Sequence, residues 1–120
     1  MGQVVNQGVL QAKLWYAQRI SAMVLGICVA VHLVMIFYAI RGGLSAQEIL
    51  GRTQGNVLFA FFYEVFVLAC FIHAPIGISN ILQETFPKMG IAKPAACILG
   101  ILILVLGSTA VVGVYSGGAL

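Results

Sequence analysis

Three long apolar stretches dominate the chain, separated by two short polar ones. They run over 17–40, 57–82 and 94–115. Each is long enough for the ~20 residues that cross the hydrocarbon core of a bilayer. Inside lipid no water is present to satisfy a backbone N–H or C=O, so each stretch is predicted to be an α-helix. Pro94 suits a first helical turn, where its missing N–H costs nothing. Arg41-Gly42-Gly43 reads as a helix stop. The linker 44–56 (LSAQEILGRTQGN) is polar, with room for one short interfacial helix. The linker 83–93 (QETFPKMGIAK) carries Pro87 and Gly90 and must turn. Positions 1–16 form a short, more polar leading segment. The pattern predicts an all-α fold, with residues 1–120 forming a single three-helix transmembrane domain.

Composition sharpens this. Residues of the AVILMFWYC set make up 62% of the chain and charged residues 8%, against about 25% charged in an ordinary soluble domain. Six basic and three acidic side chains cannot coat a soluble monomer or build a large polar cleft, so a self-contained enzyme is disfavoured. A net charge of +3, scattered along the chain, does not suit nucleic acid. Cys28, Cys70 and Cys97 lie in apolar stretches without CxxC spacing and read as three small buried hydrophobes. Lys13, Arg19, Lys88 and Lys93 fall at the N-terminal end and the second linker, against Arg41 and Arg52 in the first. The excess predicts a cytoplasmic N-terminus. The leading segment has neither a secretory nor a mitochondrial targeting pattern, so a prokaryotic inner membrane is expected. The third stretch holds no ionisable group. Its Gly100, Gly107 and Gly113 would let a neighbouring helix come close.

Ionisable groups inside a span are expensive, and each needs a reason. His73 lies mid-way along the second stretch. Gly77, Asn80 and Glu84 fall on nearly the same helical stripe. A neutral imidazole is a good iron ligand, and a glycine one turn on leaves room for a flat ring. The competing reading is a histidine hydrogen-bonded to a neighbouring helix. His32, in the first stretch, shares a face with Ser21, Leu25 and Cys28, and reads equally as a packing residue or a ligand. Counting from Arg19 to His32 and from Glu84 to His73 gives ~20 and ~16 Å of helix, which predicts similar depths for the two rings. Glu64 stands on the opposite face from His73, either serving proton transfer or hydrogen-bonded to a neighbour. Trp15, Tyr16, Gln18, Arg19 and Ser21 cluster at the start of the first span. They form either an aromatic belt with a snorkelling arginine or a polar pocket for a quinone head group or a haem propionate.

These residues carry a resemblance over roughly 15–115. QRISAMVLG resembles the HRxSG-type start of helix one in the cytochrome b anchor subunit of succinate dehydrogenases and fumarate reductases. HAPIGISNILQETF resembles the H-x-x-x-G-I stretch of that subunit's second helix. The resemblance implies that His73 is an axial ligand of haem b, with Gly77 beside it, and that Arg19 and Ser21 lie near quinone and the haem propionates. Gln18 replaces the motif histidine before the arginine, and Ala22 the glycine after the serine. Trp15 stands where some members carry a quinone-contacting serine. Ser79 or Asn80 stands in place of the second motif's arginine. His32 has a counterpart only in two-haem members, which makes it a candidate ligand for a second haem.

The resulting expectation is a non-catalytic subunit of an oxidoreductase of the respiratory chain and tricarboxylic acid cycle. It holds one haem b, or two, and helps shape a quinone site, with Trp15, Arg19, Ser21 and Glu64 as quinone or proton candidates. A second membrane-anchor subunit supplies the other axial ligand and completes a larger helical bundle. An iron–sulfur subunit and a flavoprotein subunit sit on the cytoplasmic face. The alternatives are a haem b anchor of another quinone-linked oxidoreductase, a non-haem structural subunit, and a small transporter or proton channel built around Glu64 and the histidines.

Overall fold

A computed structural model describes residues 1–118. Among these residues four helices occur in chain order: α1 (Gly2–Gly42), α2 (Ala46–Thr53), α3 (Val57–Thr85) and α4 (Ala92–Ser116). Helix makes up 87% of the described residues, with no strand among them. Three of the helices, α1, α3 and α4, are long and apolar enough to cross a membrane. Each begins or ends within a few residues of the spans predicted, except at the N-terminus. There the leading segment is helical from Gly2 and continuous with the first span. At 1.5 Å per residue its 41 residues extend about 60 Å, twice the ~30 Å hydrocarbon core. About half of α1 therefore stands outside the core, and the molecule measures 59 × 24 × 24 Å.

Local chemistry sets the ends. Ser45 and Glu48 form a reciprocal capping box that starts α2: Glu48 N–H donates to Ser45 Oγ at 3.2 Å, and Ser45 N–H donates to the Glu48 carboxylate at 3.0 Å. Asn56 caps α3, accepting from Phe59 N–H at 3.1 Å. Pro94 falls in the first turn of α4 as expected. Gly117, at φ 78°, closes α4 in the left-handed conformation, its N–H on the Gly113 carbonyl. Pro75 sits inside α3.

α3 is the centre of the bundle. α1 packs on one side of it and α4 on the other. α2 closes one end, where Arg52 donates to the Gly43 carbonyl at 2.7 Å and Thr53 Oγ1 to the Val114 carbonyl at 3.0 Å. That end is therefore tied from α1 across to α4.

The packing is inverted relative to a soluble protein. Among the described residues only Cys28, Ala69, Ala92 and Val111 are buried hydrophobics, all small. Leu58, Phe37, Tyr38 and Phe61 face outward, at two-thirds exposure or more. Against lipid, apolar burial drives nothing, so helices associate through close contact between small residues. Gly107 shows this directly: a Cβ there would stand 2.7 Å from a γ carbon of Val67. The cysteines divide. Cys28 is buried in the α1–α3 seam as expected and Cys70 is half-buried, but Cys97 lies exposed on α4. A single helix that touches one neighbour leaves most of its surface outside the bundle, and sequence does not say which part.

Candidate functional site

The seam between α1 and α3 collects most of the polar groups singled out in the sequence. The turn spacing on α1 puts Gln18 and Ser21 on the face toward α3. On α3, His73 and Gly77 look back at them. Ser21 is 4% exposed. Its Oγ lies 3.5 Å from His73 Nδ1 and donates to the Gln18 carbonyl at 3.1 Å. The Gln18 amide sits over Gly77, where a Cβ would come within 3.3 Å of Nε2. Gln18 Oε1 is buried and has no hydrogen-bond partner among the described residues. The space above Gly77, expected to receive a flat ring, is therefore taken by Gln18. Beside the seam, Ile20, Ser21, Val24, Leu68, Ala69 and Ile72 line a hollow of 290 Å³ that opens sideways.

Arg19 and Trp15 are not part of this cluster. Both are exposed on the outer side of α1. The Arg19 guanidinium lies over the Trp15 ring at 5.2 Å, a cation–π contact. Trp15 in turn meets Tyr16 edge to face.

His32 makes a separate site. Its Nδ1 lies 2.7 Å from the Tyr63 hydroxyl, and Tyr63 and Phe66 both meet its ring edge to face. These three residues head an open apolar groove of 570 Å³ that runs past Cys70 to Leu106 and Gly107. The expectation of equal depth for His32 and His73 is corrected here. Ser21 is level with His73 and Tyr63 with His32. The 11 residues from Ser21 to His32 set the rings about 16 Å apart along the bundle. Metal–imidazole bonds are about 2 Å, so the two rings of one chain cannot share an iron. The error came from aligning Arg19 with Glu84. The true register sets Gln11 and Leu14 against Asn80 and Gln83, around a hollow of 220 Å³. α1 therefore enters the bundle about two turns before Arg19.

Glu64 faces α4, away from His73 as predicted. It accepts a hydrogen bond from Ser108 Oγ at 2.7 Å, in a groove of 490 Å³ with Phe61, Val112 and Tyr115. Ser108 was missed from the sequence. A hydroxyl inside a span commonly satisfies itself on its own helix, so nothing local marked it as a partner for a carboxyl on α3. Tyr63 was missed for a similar reason: an aromatic residue in an apolar run reads as packing. Among the described residues no three of the His, Cys, Asp and Glu side chains cluster as a metal-ion site.

A bundle of three helices, each long and apolar enough to cross a membrane, defines a multi-pass membrane protein. Residues 3–114 match the family described as the succinate dehydrogenase/fumarate reductase transmembrane subunit, and the chain belongs to that family. No curated protein and no solved structure matches it.

Proposed function

We propose that the chain is the haem b-binding membrane anchor of a succinate:quinone oxidoreductase, with His73 as an axial ligand. The observation that carries this is the arrangement at the α1–α3 seam. A buried hydroxyl at Nδ1 occupies one nitrogen of the His73 ring and leaves Nε2 without a hydrogen bond among the described residues. A half-buried imidazole with one nitrogen engaged and the other free suits an axial ligand. The orphaned Gln18 Oε1 in the same seam suits a site completed by a further group. Bound haem would supply one-electron transfer between the iron–sulfur subunit and quinone.

The chain's own contribution is placement. Because His32 and His73 stand too far apart to hold one iron between them, a second protein ligand would come from another membrane subunit packed over the open side of the seam. Arg19 and Trp15, on the outer side of α1, are placed to meet that subunit, a propionate or a quinone head group. The N-terminal half of α1 projects toward the end that carries Lys13, Lys88 and Lys93. This basic end suits the cytoplasmic face of a prokaryotic membrane, where the iron–sulfur and flavoprotein subunits dock.

His32 is read as a packing residue. Its close bond to Tyr63 is that of a side chain joining two helices, which favours one haem per chain. The test is the reduced-minus-oxidised spectrum of the complex purified through this chain. His73→Ala is expected to abolish the b-type absorbance and His32→Ala to retain it. Full b-type absorbance in the His73→Ala complex would overturn the assignment.

A further inference from the structure

We propose that Ser21 is a positioning residue for His73: its hydroxyl oxygen accepts the Nδ1 proton and holds the ring in the tautomer whose Nε2 lone pair is free. The inference rests on the haem reading above and assigns Ser21 a role through His73 rather than at a propionate or a quinone.

Ser21 has a single proton to place. A serine hydroxyl carries one hydrogen and accepts through its lone pairs. Ser21 directs that hydrogen to the Gln18 carbonyl, 3.1 Å away in its own helix. Toward His73 it therefore presents only a lone pair, and the nitrogen facing it must carry the proton. A neutral imidazole has one N–H, so protonation at Nδ1 leaves Nε2 bare. At 3.5 Å the contact is longer than the ~2.7–3.2 Å usual for such a bond. The hydroxyl is nevertheless the one hydrogen-bond partner of Nδ1 among the described residues.

His32 shows the opposite arrangement. The Tyr63 hydroxyl has two neighbours, His32 Nδ1 at 2.7 Å and Met35 Sδ at 3.7 Å. The nitrogen, nearer and more basic than the thioether, is the favoured acceptor of its single proton. Nδ1 of His32 is thereby an acceptor, and the ring's own proton sits on Nε2. The two histidines of the bundle differ in which nitrogen is occupied, and the difference lies in whether the partner's proton is already committed elsewhere.

Burial supports a specific role. Ser21 and Thr53 are the buried polar residues of the described chain. Thr53 is accounted for by its bond to the Val114 carbonyl, which docks α2 on α4. The Ser21 bond to Gln18 could be made anywhere along a helix, and it does not explain a hydroxyl sealed against one particular ring. Cys28 and Ala69, the buried hydrophobic residues of α1 and α3, show that small apolar residues suffice for the seam itself.

An axial imidazole that donates its far N–H is a more basic ligand and favours the ferric state. Removing the acceptor should raise the haem midpoint potential. The experiment is a redox titration of the haem in the purified complex, with haem content measured alongside, for wild type, Ser21→Ala, Ser21→Thr and His73→Ala. Ser21→Thr retains a hydroxyl and is expected to match wild type. Ser21→Ala is expected to shift the midpoint upward, or to lose haem that Ser21→Thr retains. A Ser21→Ala complex with wild-type haem content and midpoint overturns the inference. So does a Ser21→Thr complex that behaves like Ser21→Ala, since the effect would then be steric. Haem loss in His73→Ala, together with either result, would refute the role of Ser21 alone. Retention of haem in His73→Ala would refute the ligand assignment itself.

Discussion

Replacing Gly107 by alanine should loosen the α3–α4 pair by a calculable amount. The added Cβ would lie 2.7 and 2.9 Å from the two γ carbons of Val67 and 3.4 Å from its Cβ. Carbon atoms in good contact stand ~3.5–4.0 Å apart, so the first two distances are well inside repulsion. Val67 cannot swing away, because a β-branched side chain in a helix has essentially one χ1 rotamer. The backbones must separate instead, and neighbouring contacts along the seam loosen with them. Overpacking of this kind costs about 1–3 kcal/mol, roughly a 5- to 150-fold shift in the unfolding equilibrium. Gly100 is the internal control. A Cβ there meets Pro75 Cγ at 3.3 Å and Phe71 at 3.4 Å, close to ordinary contact, so Gly100→Ala should cost less than about 1 kcal/mol. The assay is equilibrium unfolding of the complex in mixed micelles, titrated with denaturing detergent. The Gly107→Ala/Val67→Ala pair removes both clashing carbons. It should be more stable than the sum of the single effects predicts, by about 0.5–3 kcal/mol. The reasoning is refuted if Gly107→Ala costs no more than Gly100→Ala, or if Val67→Ala adds its own cost without relief.

Further outcomes follow from other contacts. Ser108→Ala should destabilise the α3–α4 pair by about 0.6 kcal/mol and at most about 1.7, the average and maximum for interhelical hydrogen bonds in lipid; the same detergent titration reads it. Tyr63→Phe should change the 15N chemical shifts of the His32 ring nitrogens, as its Nδ1 loses its donor, while those of His73 stay put. Hydrogen bonds from the Ser45 side chain and then from its backbone hold the Glu48 carboxyl below its usual range, against a small opposing effect of desolvation and with a minor contribution from Arg52. A lowered folded value means that the cap is at full strength above the ordinary glutamate pKa of about 4.3. It weakens as pH falls through the lower folded value. Protection of the Ile49 and Leu50 amides from hydrogen exchange should fall over that acid window in wild type, and Glu48→Gln should remove the dependence.

Much of this protein is written locally. A run of apolar residues longer than a bilayer core must be helical wherever it packs, because lipid leaves its backbone no other partner. The three spans, the first-turn Pro94 and the short helix in the first linker are readable from neighbours in the chain. The candidate ligand His73 was also legible, since an ionisable group in a span is costly and stands out singly. The opposed faces of Glu64 and His73 follow from helical periodicity alone.

Tertiary structure decided everything that depends on register. The offset between α1 and α3 comes from which small residues nest along the seam, Ser21, Cys28 and Ala69 among them, and no property of either helix alone specifies it. That offset separated His32 from His73 by about three turns, brought Gln18 over Gly77 and left Arg19 on the outer side with Trp15. It also chose the partners of the polar groups: Ser21 for His73, Tyr63 for His32 and Ser108 for Glu64. These contacts hold only at about 2.7–3.5 Å, whereas one residue of slip between helices moves a side chain by about 1.5 Å along the axis and about 100° around it. Sequence determined which groups had to find a partner, and only the packing of the helices determined which partner each of them found.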